Sequence, residues 1–105
     1  MREKTEGSGI VRFEWDDEKE RKNIAKHGID FSTAALVFGD EQRLEFYDEL
    51  HSDAEDRFIT IGNIGGTIAV LTVVYTERGE AIRLISARRA TKREERRYYA
   101  GIERN

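Results

Sequence analysis

Thr67-Ile-Ala-Val-Leu-Thr-Val-Val-Tyr-Thr-Glu-Arg-Gly-Glu-Ala-Ile-Arg-Leu-Ile-Ser-Ala-Arg-Arg-Ala-Thr91 is the stretch that decides the fold. Ile68 to Tyr75 is apolar or threonine at every position, and five of its eight residues are β-branched. That length and enrichment predict a strand buried on both faces. Glu77-Arg78-Gly79-Glu80 is polar and contains a glycine, which predicts a hairpin turn. The returning strand, Ala81 to Arg88, alternates. Ile82, Leu84 and Ser86 point one way, and Arg83, Ile85 and Ala87 the other. It ends on Arg88 and Arg89, so the hairpin carries guanidinium groups at its rim. Fixed cations at the rim of a packed sheet are a physical basis for binding phosphate.

The 105 residues suit one domain with a single core. The leader 1–9 is polar, holds two glycines and shows no periodicity, so it is expected to be disordered, with the domain spanning 10–105. Without cysteine there are neither disulfides nor thiolate metal sites. No apolar run approaches the roughly 20 residues of a membrane helix, and the start does not resemble a signal peptide. A soluble, cytoplasmic protein is the expectation. The net charge of −3 hides a segregation. Residues 82–105 hold eight Lys/Arg against three acids, while residues 1–81 hold ten against eighteen. A basic end on an acidic body suits nucleic acid or an acidic partner, and equally a solvated amphipathic helix.

Working outward, Ile10 to Trp15 reads as a short strand with Phe13 and Trp15 on one face. Asp17-x-x-Glu20 fits a capping box opening a helix to His27, stopped by Gly28. Its only apolar residues are Ile24 and Ala25, which predicts a surface helix clamped in part by Trp15. Asp30 caps a second helix, Phe31 to Phe38, ended by Gly39. Arg43 to Tyr47 and Arg57 to Ile61 read as strands, separated by an acidic loop containing His51. Thr91-x-x-Glu94 is a second capping box, opening a helix that carries Tyr98, Tyr99 and Ile102. Tyr98 and Tyr99 are consecutive and cannot both face the core. Four consecutive strands with short turns and helices at both ends imply an α+β sandwich around an antiparallel sheet of four to five strands, with two N-terminal helices and one C-terminal helix.

No P-loop, Rossmann, G-x-S-x-G or H-E-x-x-H pattern occurs, and two histidines do not make a metal site. No cofactor is expected. Arg57, Arg83, Arg88 and Arg89 are the groups suited to neutralising a phosphate and the charge that builds on it. Arginine cannot accept a proton, so a base must come from His27, His51, Lys26 or Glu77. Tyr75 is placed either to stack on a base or to pack at the strand end. Simple alternation puts Arg89 with Arg83, whereas a bulge would put Arg88 there instead.

Several segments together resemble BrnT, the toxin family of BrnT/BrnA type II toxin–antitoxin modules. They are Phe13-Glu-Trp-Asp16, Lys26-His-Gly28, Phe31 through Asp40, His51-Ser52 before Arg57-Phe-Ile-Thr-Ile-Gly62, Val74-Tyr-Thr-Glu-Arg78, and Ile82 through Thr91 with Glu94 and Tyr98. The resemblance implies a RelE-like fold and an endoribonuclease that cuts RNA without metal and arrests translation. It implies a BrnA-like ribbon-helix-helix antitoxin, contact with operator DNA only through that antitoxin, and a toxin–antitoxin heterotetramer. The family motifs fall on Lys26, His27, Arg57, Glu77, Arg83, Ser86, Arg88 and Arg89. Ser86, Tyr75, Lys92 and Arg93 are the expected RNA contacts; Lys26, His27, Arg57, Glu77, Arg83, Arg88 and Arg89 are the expected catalytic set. The alternative is a non-catalytic module that binds protein or nucleic acid and acts by sequestration.

Overall fold

A computed structural model describes the backbone of residues 2–6 and all of residues 11–103. Strands β1 (Arg2–Glu6) and β2 (Val11–Trp15) are followed by helices α1 (Asp17–His27) and α2 (Phe31–Ala35). Then come β3 (Leu44–Tyr47), β4 (Phe58–Asn63), β5 (Val70–Arg78), β6 (Ala81–Arg89) and helix α3 (Lys92–Glu103). A 3-10 turn, Leu36–Gly39, extends α2, so the second helix tightens where one continuous helix is expected. The six strands form one sheet in the order β1-β2-β6-β5-β4-β3.

The expected α+β architecture is present, with the meander β3-β4-β5-β6 antiparallel throughout. The N-terminal strand modifies it. β2 joins β6 in parallel, pairing Phe13 with Ile82 and Glu14 with Arg83, so the sheet is mixed. Where a disordered leader is expected, the backbone of Arg2–Glu6 pairs antiparallel with β2. The central strand starts at Val70, and Ile68 is 90% exposed. The Gly65-Gly66 turn, both residues at positive φ, holds Ile68 outside the sheet.

One face of the sheet packs Phe13, Trp15, Leu71, Val73, Tyr75, Leu84 and Ala87 against Phe31, Ala34, Ala35 and Val37. The other packs Ile61, Val70, Leu44, Phe46 and Ile59 against Tyr98 of α3. Of the consecutive tyrosines, Tyr98 is buried and Tyr99 exposed. Asp40 anchors that helix, accepting from the Tyr98 hydroxyl and, at 2.8 Å, from the Asn63 amide. Gly62 lies so close to Val37 that an added Cβ would come within 2.9 Å of its Cγ1.

Helix α1 departs most from expectation. Its cap is Asp16, one residue earlier than the expected Asp17, with its carboxylate accepting from the amides of Glu18 and Lys19. Trp15, fully buried, sets that register. Glu20 does not reach back to the cap; it accepts from the Phe31 amide at 2.9 Å. The helix stops as expected, with Gly28 at φ 73°. Ile24 is exposed, and the buried residue of α1 is Asn23. β2 covers only the first part of β6, which leaves the outer edge unpaired from Leu84 onward. Asn23 closes it. Its Nδ2 donates to the Ala87 carbonyl at 2.9 Å, and its Oδ1 accepts from the Ala87 amide at 3.0 Å. Nδ2 also donates to the Ile29 carbonyl at 2.9 Å. A side-chain amide has the donor and acceptor of a peptide unit, so Asn23 substitutes for one residue of a neighbouring strand.

Replacing Asn23 with alanine leaves buried main-chain groups without partners, at a cost of about 1–3 kcal/mol each. Asn23→Ala is expected to lose about 3 kcal/mol of unfolding free energy in urea titration, and Ile24→Ala less than about 1 kcal/mol.

Candidate functional site

The placement of the arginines follows from a bulge. Val74 pairs with Ser86 but Tyr75 pairs with Leu84, so Ile85 is an extra residue in β6. Past that point the alternation of β6 is inverted. Arg83 lies opposite Thr76, Ser86 opposite Val74, and Arg88 opposite Thr72. Even-numbered residues of β5 from Val70 to Thr76 face α3, so Arg83, Ser86 and Arg88 share that face. Arg89 pairs with Leu71 of the main core and is exposed on the opposite side. The choice between Arg88 and Arg89 is thus decided for Arg88, by a bulge inside the strand rather than at its end. Arg57 precedes Phe58, whose ring stacks on Tyr75 in the main core. Alternation therefore sends Arg57 to the α3 face, with Arg83 two strands away in the same row.

The row of Arg57, Thr76 and Arg83 and the row of Thr72 and Arg88 are separated by four residues of β5, about 13 Å. The guanidinium groups also diverge. Arg83, with a side chain only 10% exposed, meets Glu14 of β2 at 3.5 Å. Arg88 turns to α3 and grips Glu94 with two hydrogen bonds, of 2.8 and 3.0 Å. Glu94 also accepts from the Thr72 hydroxyl and the Thr91 amide, while Thr91 Oγ1 accepts from the Glu94 amide at 3.1 Å. The capping box read from Thr91 and Glu94 is realised and doubles as the clamp on Arg88. The Arg88 guanidinium first, then the Thr91 and Thr72 donors, outweigh burial and pull the Glu94 carboxyl from 4.5 to about 2.

The other expected residues fall into separate places. Lys26 and His27, with Lys19 and Lys22, line a groove between α1 and β6 floored by Ile85 and Ser86. The groove adjoins the face of Arg88 through Ser86. Glu77 pairs with Ile82 on the main-core side and does not join the arginines. Tyr75 is 4% exposed, packed against Phe38 and Phe58, with its hydroxyl donating to Glu45 at 2.9 Å. Its ring fills the core at the strand end, the packing alternative of the two. Burial, then the Glu45 carboxylate, raise its pKa. Lys92 is exposed at the start of α3, and Arg93 lies with Arg97, Phe46 and Ile59 where α3 crosses β3 and β4. The sequence reading does not reach Asn23, nor the grip of the capping Glu94 on Arg88. A helix with almost no apolar face is the signal for Asn23, since something polar must then attach it.

The domain is a small α+β fold with three arginines on one sheet face, two of them paired with carboxylates, and a lysine-lined groove alongside. The model of the family described as "Ribonuclease toxin, BrnT, of type II toxin-antitoxin system" matches residues 15–94. The chain belongs to this BrnT family, whose members are ribonuclease toxins. No curated protein matches it significantly.

Glu94 has a folded-state pKa below its ordinary value, so its contribution to stability is complete above about pH 5 and is lost as pH falls toward 2. Solvent contact reduces the effect to about 1–2 kcal/mol. Between pH 6 and pH 3 the wild type is expected to lose about 1 kcal/mol more than Glu94→Gln, measured by urea unfolding at each pH.

Proposed function

We propose that this chain is a metal-independent endoribonuclease that cuts RNA by attack of a ribose 2′-hydroxyl, arrests translation in the cytoplasm, and is neutralised by a BrnA-like antitoxin. The observation that carries the reading is the shared face of Arg57, Arg83 and Arg88, produced by the bulge at Ile85. Catalysis of this kind needs fixed positive charge where the phosphorane charge develops, and a proton acceptor beside it. In this reading Arg57 and Arg83 serve the scissile phosphate. Glu14 holds the Arg83 guanidinium, so the charge meets the substrate already oriented. Arg88 and Ser86, about two rungs along, hold the adjacent backbone and pass it to Lys26 and His27 in the α1 groove. The surplus of acid in residues 1–81 suits a basic segment of the antitoxin.

Incubating the purified protein with single-stranded RNA in EDTA is expected to give discrete fragments. Arg57→Ala and Arg83→Ala are each expected to slow cleavage by about 10²-fold, and Arg89→Ala by less than about threefold. Intact RNA with the wild type, together with tight RNA binding, would establish sequestration in place of cleavage.

A further inference from the structure

The reading above leaves the proton acceptor unassigned, and the loop between β3 and β4 supplies one. The Asp48 amide donates to the Arg57 carbonyl at 2.8 Å, which extends the β3–β4 ladder by one pair beyond Tyr47 and Phe58. Asp48 therefore sits directly across from Arg57, on the face of Phe46 and Ile59. Ser52 locks the pair. Its hydroxyl donates to the Asp48 carbonyl at 2.5 Å and accepts from the Arg57 amide at 2.9 Å. At the far end of the same loop the Asp56 carbonyl accepts from Thr76 Oγ1 at 2.5 Å, and Thr76 is the register partner of Arg83. The loop is thus tied at both ends to the row that carries Arg57 and Arg83.

His51 stands on this platform. Its Nδ1 lies 2.9 Å from Asp48 Oδ2 and 3.2 Å from Oδ1. An ionised carboxylate only accepts, so in the neutral ring Nδ1 is the nitrogen that carries the hydrogen and Nε2 the one with the lone pair. The Asp48 side chain is 12% exposed and the His51 side chain 65%, so the ring is held from beneath and open on its outer edge. An imidazole with one nitrogen fixed by a carboxylate and the other presented to solvent is the arrangement of a general base. Lys26 and His27 lie on the far side of β6, two strands or about 10 Å across the sheet from β4.

Resting on the assignment of RNA cleavage, we infer that His51, oriented by Asp48, takes the proton of the 2′-hydroxyl. The O–H bond breaks with its proton passing to Nε2. The 2′-oxygen forms a bond to phosphorus as the bond from phosphorus to the 5′-oxygen breaks. The departing 5′-oxygen takes a proton from water, and the imidazolium returns its proton to solvent. The products are a 2′,3′-cyclic phosphate and a 5′-hydroxyl.

The test uses a 5′-labelled single-stranded RNA in EDTA with the full chain and the His51→Ala, His51→Gln and Asp48→Asn variants. Both His51 variants are expected to melt with the wild type, because the ring is exposed, and to lose about 10²-fold or more in cleavage rate. Added imidazole is expected to restore His51→Ala at least about tenfold and to leave His51→Gln, whose side chain fills the space, slower. Asp48→Asn is expected to lose about tenfold. Cleavage by His51→Ala within threefold of wild type, or a loss that imidazole does not restore, overturns this assignment and leaves the ribonuclease reading standing. Absence of cleavage by the wild type overturns both.

Discussion

Asn23 holds the molecule in its working shape. Its amide binds both main-chain groups of Ala87 and a third at Ile29. It is the buried residue of a helix whose other side chains are exposed or half-buried. A helix normally attaches through an apolar stripe worth several kcal/mol of burial. α1 has no such stripe, and directional hydrogen bonds replace it. This fixes the height of α1 along β6 as well as its contact, because an amide pairs with one peptide only. The lysines of α1 are thereby set beside Ser86 and not elsewhere along the strand.

Charge on the α3 face is organised in a related way. Arg83 and Arg88 each have a carboxylate from a different element, Glu14 of β2 and Glu94 of α3. An arginine left to solvent samples many rotamers, and ordering it on substrate binding costs entropy. Here the ordering is complete before any ligand arrives. The partners also keep like charges apart, drawing the two guanidinium groups toward opposite ends of the sheet. The result is two separately held guanidinium groups on one face rather than a single cluster.

Much of this was legible from residues alone. The hairpin, the Gly28 and Thr91 helix ends, the Asp30 cap and the split roles of Tyr98 and Tyr99 all follow from local chemistry, and each is present. The parallel pairing of β2 with β6 was not legible, because nothing in five residues states which neighbour they will choose. Ile68 looked like core because it is apolar and β-branched, but the two consecutive glycines at positive φ just before it delay the chain's entry into the sheet until Val70. The grouping of the arginines depended on a count. Alternation from Arg83 selects Arg89, and only the extra residue at Ile85 selects Arg88. A bulge leaves no mark in composition, so both alternatives were equally consistent with the letters.

That extra residue makes the length of β6 part of the chemistry. An in-frame loss of Ile85 itself would only close the bulge and leave Ser86 opposite Val74 and Arg88 opposite Thr72. Loss of the single codon for Ala87, with the bulge kept, would instead exchange the sides of Arg88 and Arg89 without removing a charged group. Glu94 would then face the wrong guanidinium across the sheet, and Asn23 would meet a different peptide.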